Sequence, residues 1–264
     1  MKCLKEKVVW ITGASSGIGE AVAYAMAREG AFLVLSGRNA AKLEEVKIRC
    51  LQFTPKCWVQ AMDLTAIEQL DELVSVVLEQ AGQIDILINN AGRSQRSLAR
   101  ETPLRNDRDI MEINFFGVVA LTKLVLPHML KRQSGHLVVV SSVTGKFGVP
   151  MRTAYSASKH AVQGYFEALR AELVHDHIQV TIVSPGRIKT NISRNALTKD
   201  GQSYNKMDDG QANGLPADRC AEQIVRAIKH DRKELLVGKK EIAMVYIRRF
   251  LPALFHRLIT KIKN

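Results

Sequence analysis

The stretch Thr12-Gly13-Ala14-Ser15-Ser16-Gly17-Ile18-Gly19 lies between an apolar run and a helical pattern. The run, residues 7–12, is apolar and β-branched, which is typical of a buried strand. The helical pattern follows directly and continues through Val22 and Met26 to Gly30. Glycines after a strand allow a tight turn, and the free N–H groups of the new helix can bind a pyrophosphate. The stretch therefore predicts a dinucleotide-binding turn.

The rest of the chain keeps alternating between short apolar runs and helical patterns. Further strands are predicted at residues 31–36, 57–61, 85–88, 136–142, 178–183 and 234–237. Helices are predicted at about 67–81, 107–131 and 216–228, with another one that carries Tyr155. Right-handed crossovers make such strands parallel. The pattern predicts one doubly wound α/β domain, a Rossmann fold whose parallel sheet carries helices on both faces.

We expect this domain to cover residues 1–238, with a basic segment at 239–264. Residues 190–214 are polar and glycine-rich without a clean period, and they predict a mobile loop, with or without a short helix, beside the substrate. No apolar run reaches the roughly 20 residues that span a bilayer. The N-terminus lacks the apolar core of a signal peptide. Four cysteines without a Cys-x-x-Cys pair or metal spacing indicate a reducing compartment, so a cytoplasmic protein is expected.

The formal net charge of +12 comes mainly from the C-terminal part of the chain. Residues 187–264 contain 17 Lys+Arg against 8 Asp+Glu, and no acidic residue follows Glu241. This asymmetry predicts an anionic partner such as membrane lipid or nucleic acid. Because the segment has no recognised nucleic-acid-binding motif, nucleic acid is not expected as the partner.

A second informative stretch is Tyr155-Ser156-Ala157-Ser158-Lys159. Residues four apart lie on one face of a helix, so Tyr155 and Lys159 would project together. A nearby cation favours the phenolate and lowers the phenol pKa below its usual value of about 10. Such a tyrosine can act as a general acid or base. Taken alone, the pair equally fits two ordinary residues on a helix surface.

Together, these motifs resemble those of the short-chain dehydrogenase/reductase family over about residues 5–238. The motifs are residues 12–19, Asp63, Asn89-Asn90-Ala91-Gly92, Asn114, Ser142, Tyr155 with Lys159, and Pro185-Gly186. The catalytic serine of this family lies about thirteen positions before its tyrosine, which selects Ser142 over Ser141. Because the chain extends beyond its last strand, it looks most like the 11-beta-hydroxysteroid dehydrogenases and the dehydrogenase/reductase group near them.

The resemblance implies a catalytic set of Ser142, Tyr155, Lys159 and Asn114. Tyr155 would exchange a proton with the substrate oxygen, and Ser142 would bond the same oxygen and stabilise its developing charge. Lys159 would lower the Tyr155 pKa and hold the nicotinamide ribose, while Asn114 would position a water beside Lys159. Alternatively, Asn114 is a satisfied polar residue inside a helix, and Ser142 simply ends its strand.

The resemblance also implies the residues that bind the dinucleotide. They are Gly13, Ser15, Ser16, Gly17, Ile18, Gly19, Arg38, Asn39, Asp63, Leu64, Asn90, Ala91, Gly92, Tyr155, Lys159, Pro185, Gly186, Ile188 and Thr190. Asp63 would reach the adenine, or it would cap the helix expected near Ile67.

The residues after the second strand, Ser36-Gly37-Arg38-Asn39, indicate which dinucleotide binds. A carboxylate at this place binds the ribose 2′-hydroxyl and repels a 2′-phosphate. Here the acid is absent, and Arg38 can make bidentate contacts to a phosphate. The sequence therefore predicts NADP(H) rather than NAD(H).

The expected activity is the interconversion of a carbonyl and a primary or secondary alcohol by hydride transfer. Loop residues Val143, Phe147, Val149, Pro150 and Met151 predict an apolar, lipid- or steroid-like small molecule, or else they are packing residues. A second hypothesis is a non-catalytic NADP(H)-binding redox sensor on the same fold. The complete catalytic set favours the enzyme. Relatives are commonly dimers or tetramers, so a homo-oligomer is expected.

Residues 242–264 form a basic amphipathic pattern. Its apolar positions at helical spacing are Ile247, Leu251, Leu254, Leu258 and Ile262, and its basic positions are Arg248, Arg249, Arg257, Lys261 and Lys263. Pro252 predicts a break or a new helix start. Such a segment can lie in a membrane interface as a peripheral contact, or it can pack its apolar side on the core or on a second subunit.

Overall fold

The computed structural model describes residues 1–261. Its strands are β1 (Val8–Thr12), β2 (Phe32–Gly37), β3 (Cys57–Ala61), β4 (Ile86–Asn89), β5 (Gly135–Val140), β6 (Ile178–Pro185), β7 (Ile188–Lys189), β8 (Leu215–Pro216) and β9 (Glu234–Val237). Its helices are α1 (Gly17–Arg28), α2 (Ala40–Cys50), α3 (Leu70–Ala81), α4 (Leu104–Met111), α5 (Gly117–Arg132), α6 (Thr153–Glu172), α7 (Asp209–Ala212), α8 (Ala217–Lys229), α9 (Ala243–Phe250) and α10 (Pro252–Ile259).

Seven strands form one parallel sheet in the order β3-β2-β1-β4-β5-β6-β9. The chain works outward from β1 to β3 on one side, then returns to β4 on the other side. Val9 of β1 accordingly pairs with Leu33 on β2 and with Ile86 on β4. The predicted doubly wound sheet is confirmed. Ligands of such sheets bind where the order reverses, at the carboxyl ends of β1 and β4.

Strand β1 explains why both faces of the sheet carry helices. All five of its residues are buried. Because side chains alternate along a strand, Val9 and Ile11 enter one core while Val8 and Trp10 enter the other. Helices α1, α2 and α8 cover the first core, and α3, α5 and α6 cover the second. A strand that is apolar on both sides is buried only when both faces are covered.

The long helix predicted at residues 107–131 differs from the structure in one respect. A π-helical segment, Glu112–Phe116, separates α4 from α5, and Asn114 lies inside it. Such segments are frequent at functional sites because they reorient a side chain within a helix. Helix α2 was not predicted. Its apolar residues Leu43 and Val46 are buried, but charged residues surround them in the sequence.

The helical stretch from Leu104 to Arg132 contains an 18-residue window with a mean hydropathy of 1.6, which is long and apolar enough to cross a membrane. This corrects the expectation that no stretch of the chain meets those two criteria. The core helices of soluble proteins meet the same criteria of length and composition. Of the 18-residue window, 39% is buried inside the structure. Leu121 and Val125 of this stretch pack in the core below the sheet.

The segment between β7 and β8 is mostly irregular, as predicted, and contains the four-residue helix α7. After β9, the C-terminal segment forms α9 and α10, and Pro252 starts α10 as a fresh helix. Phe255 of α10 is buried against Phe147, with ring centroids 5.5 Å apart. Ile262 and Lys263 of the predicted amphipathic pattern lie outside the described residues.

Candidate active site

A cavity of about 520 Å³ lies at the carboxyl ends of β1 and β4, where the strand order reverses. Most residues that the sequence selected line it: Gly13, Ser15, Ser16, Gly17, Ile18, Arg38, Asp63, Leu64, Asn90, Ala91, Gly92, Ser142, Tyr155, Lys159, Pro185, Gly186, Ile188 and Thr190. Three selected residues are not part of its wall, namely Gly19, Asn39 and Asn114. The fold thus brings residues from across the chain to one site.

The glycine-rich turn leaves no room for side chains at two positions. Gly13 has a φ of +66°, and a Cβ built there would lie 2.8 Å from the Cα of Ala91. A Cβ on Gly19 would lie 2.3 Å from the carbonyl oxygen of Gly13. Gly19 therefore contributes by letting α1 start directly beneath the turn, and it does not face the cavity. The result is the close backbone cradle that a pyrophosphate requires.

Asn90 and Thr12 tie the turn to the end of β4. Asn90 Nδ2 donates to the carbonyl oxygens of Thr12 (2.9 Å) and Gly13 (3.2 Å). Thr12 Oγ1 accepts from the backbone N–H groups of Asn90 (3.0 Å) and Ala91 (3.1 Å). The amide of Asn90 thus supports the shape of the turn, and Thr12 is a site residue that the sequence did not select.

Two adjacent residues after β2 have different positions. Arg38 is exposed and lines the cavity. Asn39 instead caps α2, because its side chain accepts a 3.0 Å hydrogen bond from Lys42 N. Asn39 does not line the cavity, its capping role accounts for this position, and its contact with the dinucleotide stays a prediction.

Asp63 lines the cavity and holds a local turn. Its Oδ1 accepts hydrogen bonds from Thr65 N (3.0 Å) and Thr65 Oγ1 (2.8 Å). The short 3₁₀ helix that begins at Ile67 has Ala66 at its N-cap position. The alternative that Asp63 caps this helix is therefore wrong, and the side chain stays at the cavity wall.

Tyr155, Ser142 and Lys159 meet in the buried part of the cavity, each less than 10% exposed. Burial raises the pKa of the Tyr155 hydroxyl, whereas the hydrogen bond with Ser142 and the charges of Arg152 and Arg96 lower it. Ser142 lies beyond the end of β5, and its Oγ also accepts from Thr144 N (3.1 Å). Ser142 thus caps the short helix that follows its strand, and its catalytic role stays a prediction.

The ammonium group of Lys159 is held by the end of strand β5. Its Nζ donates a 2.8 Å hydrogen bond to the carbonyl oxygen of Val140 and lies 5.9 Å from the centre of the Tyr155 ring. Burial lowers the pKa of Lys159 to about 8. The cations that lower the Tyr155 pKa are Arg152 and Arg96. In this structure strand β5 holds the ammonium group, and the effect of Lys159 on the Tyr155 pKa stays a prediction.

Asn114 is fully buried and its side chain is bonded on both ends. Oδ1 accepts from Arg93 N (2.8 Å), and Nδ2 donates to Arg93 O (3.0 Å) and Ser158 Oγ (2.9 Å). A Cβ on Gly92 would lie 2.8 Å from Asn114 Oδ1 and 3.5 Å from Lys159 Nζ. Asn114 is thus a satisfied polar residue that fixes the segment between β4 and the site.

Gln95 fixes the start of the helix that carries Tyr155. Helix α6 has no side-chain cap from its own N-cap residue. The Oε1 atom of Gln95, a residue that is 1% exposed, accepts instead from Ala154 N (2.9 Å) and Tyr155 N (3.4 Å). Two of the free N–H groups at the helix start are thereby satisfied from a different segment. The sequence did not select Gln95.

The loop that follows Ser142 does not line the cavity. Val143 and Phe147 pack against Phe255, and no residue from 143 to 151 lines the cavity wall. The packing alternative is therefore observed for Val143, Phe147 and Val149, whereas Pro150 is exposed and Met151 half-buried. Beyond the predicted set, the wall contains Arg93, Ser94, Arg96, Ile113, Arg152, Asn191, Ile192, Asn195, Ser203 and Gln211.

These features define a protein that binds a nicotinamide dinucleotide at the edge of a parallel sheet, next to a buried tyrosine. The model of the family described as short chain dehydrogenase matches residues 7–201. The chain belongs to the short-chain dehydrogenase/reductase family of oxidoreductases. This confirms the resemblance seen in the sequence.

Individual relatives agree with this assignment. The chain is 43% identical to dehydrogenase/reductase SDR family member 7B of Xenopus laevis, over 97% of this chain and 82% of the relative. A short-chain dehydrogenase/reductase from Burkholderia phymatum in complex with NAD superposes with a TM-score of 0.85 at 25% identity, covering 96% of both chains. An alcohol dehydrogenase from Thermococcus sibiricus with 5-hydroxy-NADP gives 0.77 at 25% identity, covering 89% of this chain and 97% of that one.

Proposed function

We propose that this protein is an NADP(H)-dependent oxidoreductase that interconverts a carbonyl and an alcohol. One observation carries the proposal: Ser142, Tyr155 and Lys159 line the same cavity as the glycine turn at Gly13. The close backbone approach of Gly13 and Gly19 fits a dinucleotide. When bound, the nicotinamide supplies or accepts the hydride. The chain itself binds the substrate and moves the proton.

Tyr155 is the proposed proton donor in reduction and the acceptor in oxidation. Ser142 lies close enough to this buried hydroxyl to lower its pKa, and it would also bond the substrate oxygen and stabilise the charge that develops there. Lys159 would hold the nicotinamide ribose next to Tyr155. Asn114 would keep the 92–93 backbone in place beside the Lys159 ammonium.

A substrate screen tests the proposed activity. It measures NADPH oxidation and NADP reduction with ketones, aldehydes, steroids and retinoids. Turnover supports the proposal, and NADPH binding without turnover by any compound favours the redox sensor.

The charge at the adenosine end supports NADP(H) over NAD(H). Arg38 lines the cavity where a 2′-phosphate would bind. The pKa of Arg93 is lowered first by burial and then by the charge of Arg38, so the two guanidinium groups repel each other. A phosphate would relieve this repulsion.

The test of cofactor choice is Gly37→Asp combined with Arg38→Leu. Position 37 can take a side chain, because the nearest atom to a Cβ there is Ser15 Oγ at 3.5 Å. We expect the ratio of NADP to NAD efficiency to fall at least tenfold, which is the effect of losing one charged contact. An unchanged ratio would show that Arg38 does not discriminate. Arg105→Leu, on the exposed part of α4, is the control and should leave the ratio unchanged.

The amphipathic part of the C-terminal segment, residues 242–264, is the proposed peripheral membrane contact. Its inner side packs on the catalytic domain through Phe255. The alternative that the segment packs on the core is therefore met by this side. Its outer side exposes Tyr246 (55%), Phe250 (73%), Leu251 (55%) and Leu254 (43%). Arg248, Arg249 and Arg257 alternate with these residues along α9 and α10 and are exposed as well. Exposed apolar side chains among basic ones fit an anionic lipid surface.

Flotation with phosphatidylserine vesicles tests this contact. Phe250→Asp with Leu254→Asp should abolish flotation, because both side chains are exposed and their loss leaves Phe255 packed. Ile48→Asp with Leu51→Asp removes two apolar side chains of similar exposure around the end of α2 and should leave flotation unchanged. Equal flotation of both double variants and the wild type would exclude the proposed contact. The homodimer or homotetramer expected from relatives stays a prediction.

A further inference from the structure

Two guanidinium groups share one carboxylate beside Tyr155. Arg96 donates to Asp208 Oδ2 from Nε (3.0 Å) and from Nη2, and Arg152 donates to the same oxygen from Nη2 (3.2 Å). The side chains of Arg96, Arg152 and Asp208 are only 2%, 18% and 7% exposed. One carboxylate cannot neutralise two buried guanidinium groups, so a positive charge remains uncompensated.

The uncompensated charge belongs to Arg152. Arg96 uses its other donors on Ser94 Oγ (2.9 Å) and Gln95 O (2.6 Å). Arg152 Nε, in contrast, is buried and has no acceptor among the described residues. Burial and the charge of Arg96 lower the pKa of Arg152 to about 10, as expected for a cation that lacks a full counter-charge. A buried donor without an acceptor calls for a bound partner.

Arg152 lies in the same cavity as Tyr155, where the substrate would bind. Arg152 precedes Tyr155 by three residues at the start of α6, and both line the cavity. The charges of Arg152 and Arg96 reach the Tyr155 hydroxyl, since both lower its pKa. Asp208 comes from the segment between β7 and β8, which closes the other side of the cavity through Asn191 and Ile192. An anion bound by Arg152 would therefore lie next to the reacting carbonyl.

We propose that the substrate carries, besides its carbonyl, a carboxylate or a phosphate that binds the guanidinium of Arg152. This proposal rests on the carbonyl–alcohol activity proposed above. A guanidinium group binds both kinds of anion through parallel hydrogen bonds. The anion would supply the acceptor that Arg152 Nε lacks and the negative charge that Asp208 alone does not provide. A neutral steroid or lipid would leave both needs unmet.

The first arm of the test compares matched methyl ketones with the wild-type enzyme and NADPH. The acids are 4-oxopentanoate, 6-oxoheptanoate and 8-oxononanoate, and each is paired with its methyl ester. The phosphate arm pairs 4-oxopentyl phosphate with 5-hydroxypentan-2-one. We expect kcat/KM for at least one anionic ketone to exceed that of its neutral partner at least tenfold. Whichever anion is preferred identifies the source of the charge.

The second arm separates anion binding from a structural role of Arg152. Arg152→Gln should raise KM for the preferred anionic ketone at least tenfold and change KM for its neutral partner less than threefold. Arg152→Lys should restore part of the preference. Arg187→Gln is the matched control, because the charge of Arg187 acts on Arg152 although Arg187 does not line this cavity, and it should keep the preference.

The outcomes are distinct. Equal kcat/KM for anionic and neutral ketones in the wild type would overturn the anion site while leaving the proposed oxidoreductase intact. An equal loss for both partners of a pair in Arg152→Gln would also overturn it, because a purely structural residue acts on both. No NADPH consumption with any ketone, charged or neutral, would instead contradict the proposed function.

Discussion

Lys159 Nζ lies 5.9 Å from the centre of the Tyr155 ring, and its hydrogen bond goes to the carbonyl oxygen of Val140. The ammonium group is thus anchored to the end of β5, while Tyr155 projects from the same helix one turn earlier. This anchoring fixes the distance between the two side chains. The buried pair then offers a cation and a phenol on one wall of the cavity, where the proposed chemistry requires them.

Replacement of Lys159 tests whether this anchoring serves the reaction. Lys159→Met should lower kcat on the order of 100-fold and raise KM for NADPH, because a general acid loses its neighbouring charge and the ribose loses a donor. Steady-state kinetics with the best ketone from the screen would measure both. Lys146→Met removes a lysine that pairs with Glu234 outside the cavity, and both constants should stay within about threefold. Wild-type kcat in Lys159→Met would contradict the assigned role.

Gln95 should position Tyr155 without touching the substrate. Gln95→Met removes the acceptor for Ala154 N and Tyr155 N and should lower the free energy of unfolding by about 1–2 kcal/mol. We also expect a lower kcat with an unchanged Kd for NADPH, because the glycine turn proposed to bind the dinucleotide is not part of the helix start that Gln95 holds. Urea unfolding, kinetics and fluorescence titration would measure the three effects. Wild-type stability in Gln95→Met would exclude the capping role.

His136 should make the protein less stable at acidic pH. Burial, and next the charge of Lys2, lower its pKa from 6.5 to about 4, with Asp231 acting in the opposite direction. Its Nε2 lies 2.8 Å from Thr181 Oγ1. Between those two pH values the unfolded chain takes up a proton that the folded protein does not. Stability is therefore lost as the pH falls through this window.

The size of this loss follows from the same pKa shift. Between pH 7 and pH 5 it amounts to about 2 kcal/mol for His136. Urea unfolding of wild type and His136→Gln at both pH values would measure it, and the variant should show a correspondingly smaller decrease. His128→Gln, on the exposed side of α5, should behave like the wild type. Identical pH dependence in His136→Gln and wild type would show that His136 is not responsible.

The sequence predicted the sheet well because β1 and its neighbours are apolar on both sides, a pattern that few other structures produce. The turn at Gly13 was equally predictable, since its left-handed φ of +66° and the Ala91 contact allow only glycine. Helix α2 was missed because only a few of its residues, such as Leu43 and Val46, are buried. The π-helical segment around Asn114 left no periodic signal, since it changes the hydrogen bonds and not the composition.

The missed site residues share a different cause. Gln95 and Arg96 reach α6 and Asp208 through tertiary contacts between distant segments, and the bonded partners are 59 and 112 positions apart in the sequence. No local pattern encodes such contacts. Arg152 did leave a signal, because it precedes Tyr155 by three positions and so shares its side of the helix start. The sequence could not decide whether Val143 and Phe147 contact the substrate or pack in the interior. The structure shows that they pack against Phe255.

The kinetics of Tyr155→Phe test the central claim most directly. The variant removes one hydroxyl from a side chain that is 7% exposed, so the fold and the cofactor cradle should persist. With the best carbonyl substrate and NADPH, we expect kcat to fall by on the order of 10²- to 10⁴-fold, while the Kd for NADPH changes less than about threefold. A Tyr155→Phe enzyme that retains wild-type kcat would contradict the assignment of Tyr155 as the proton donor.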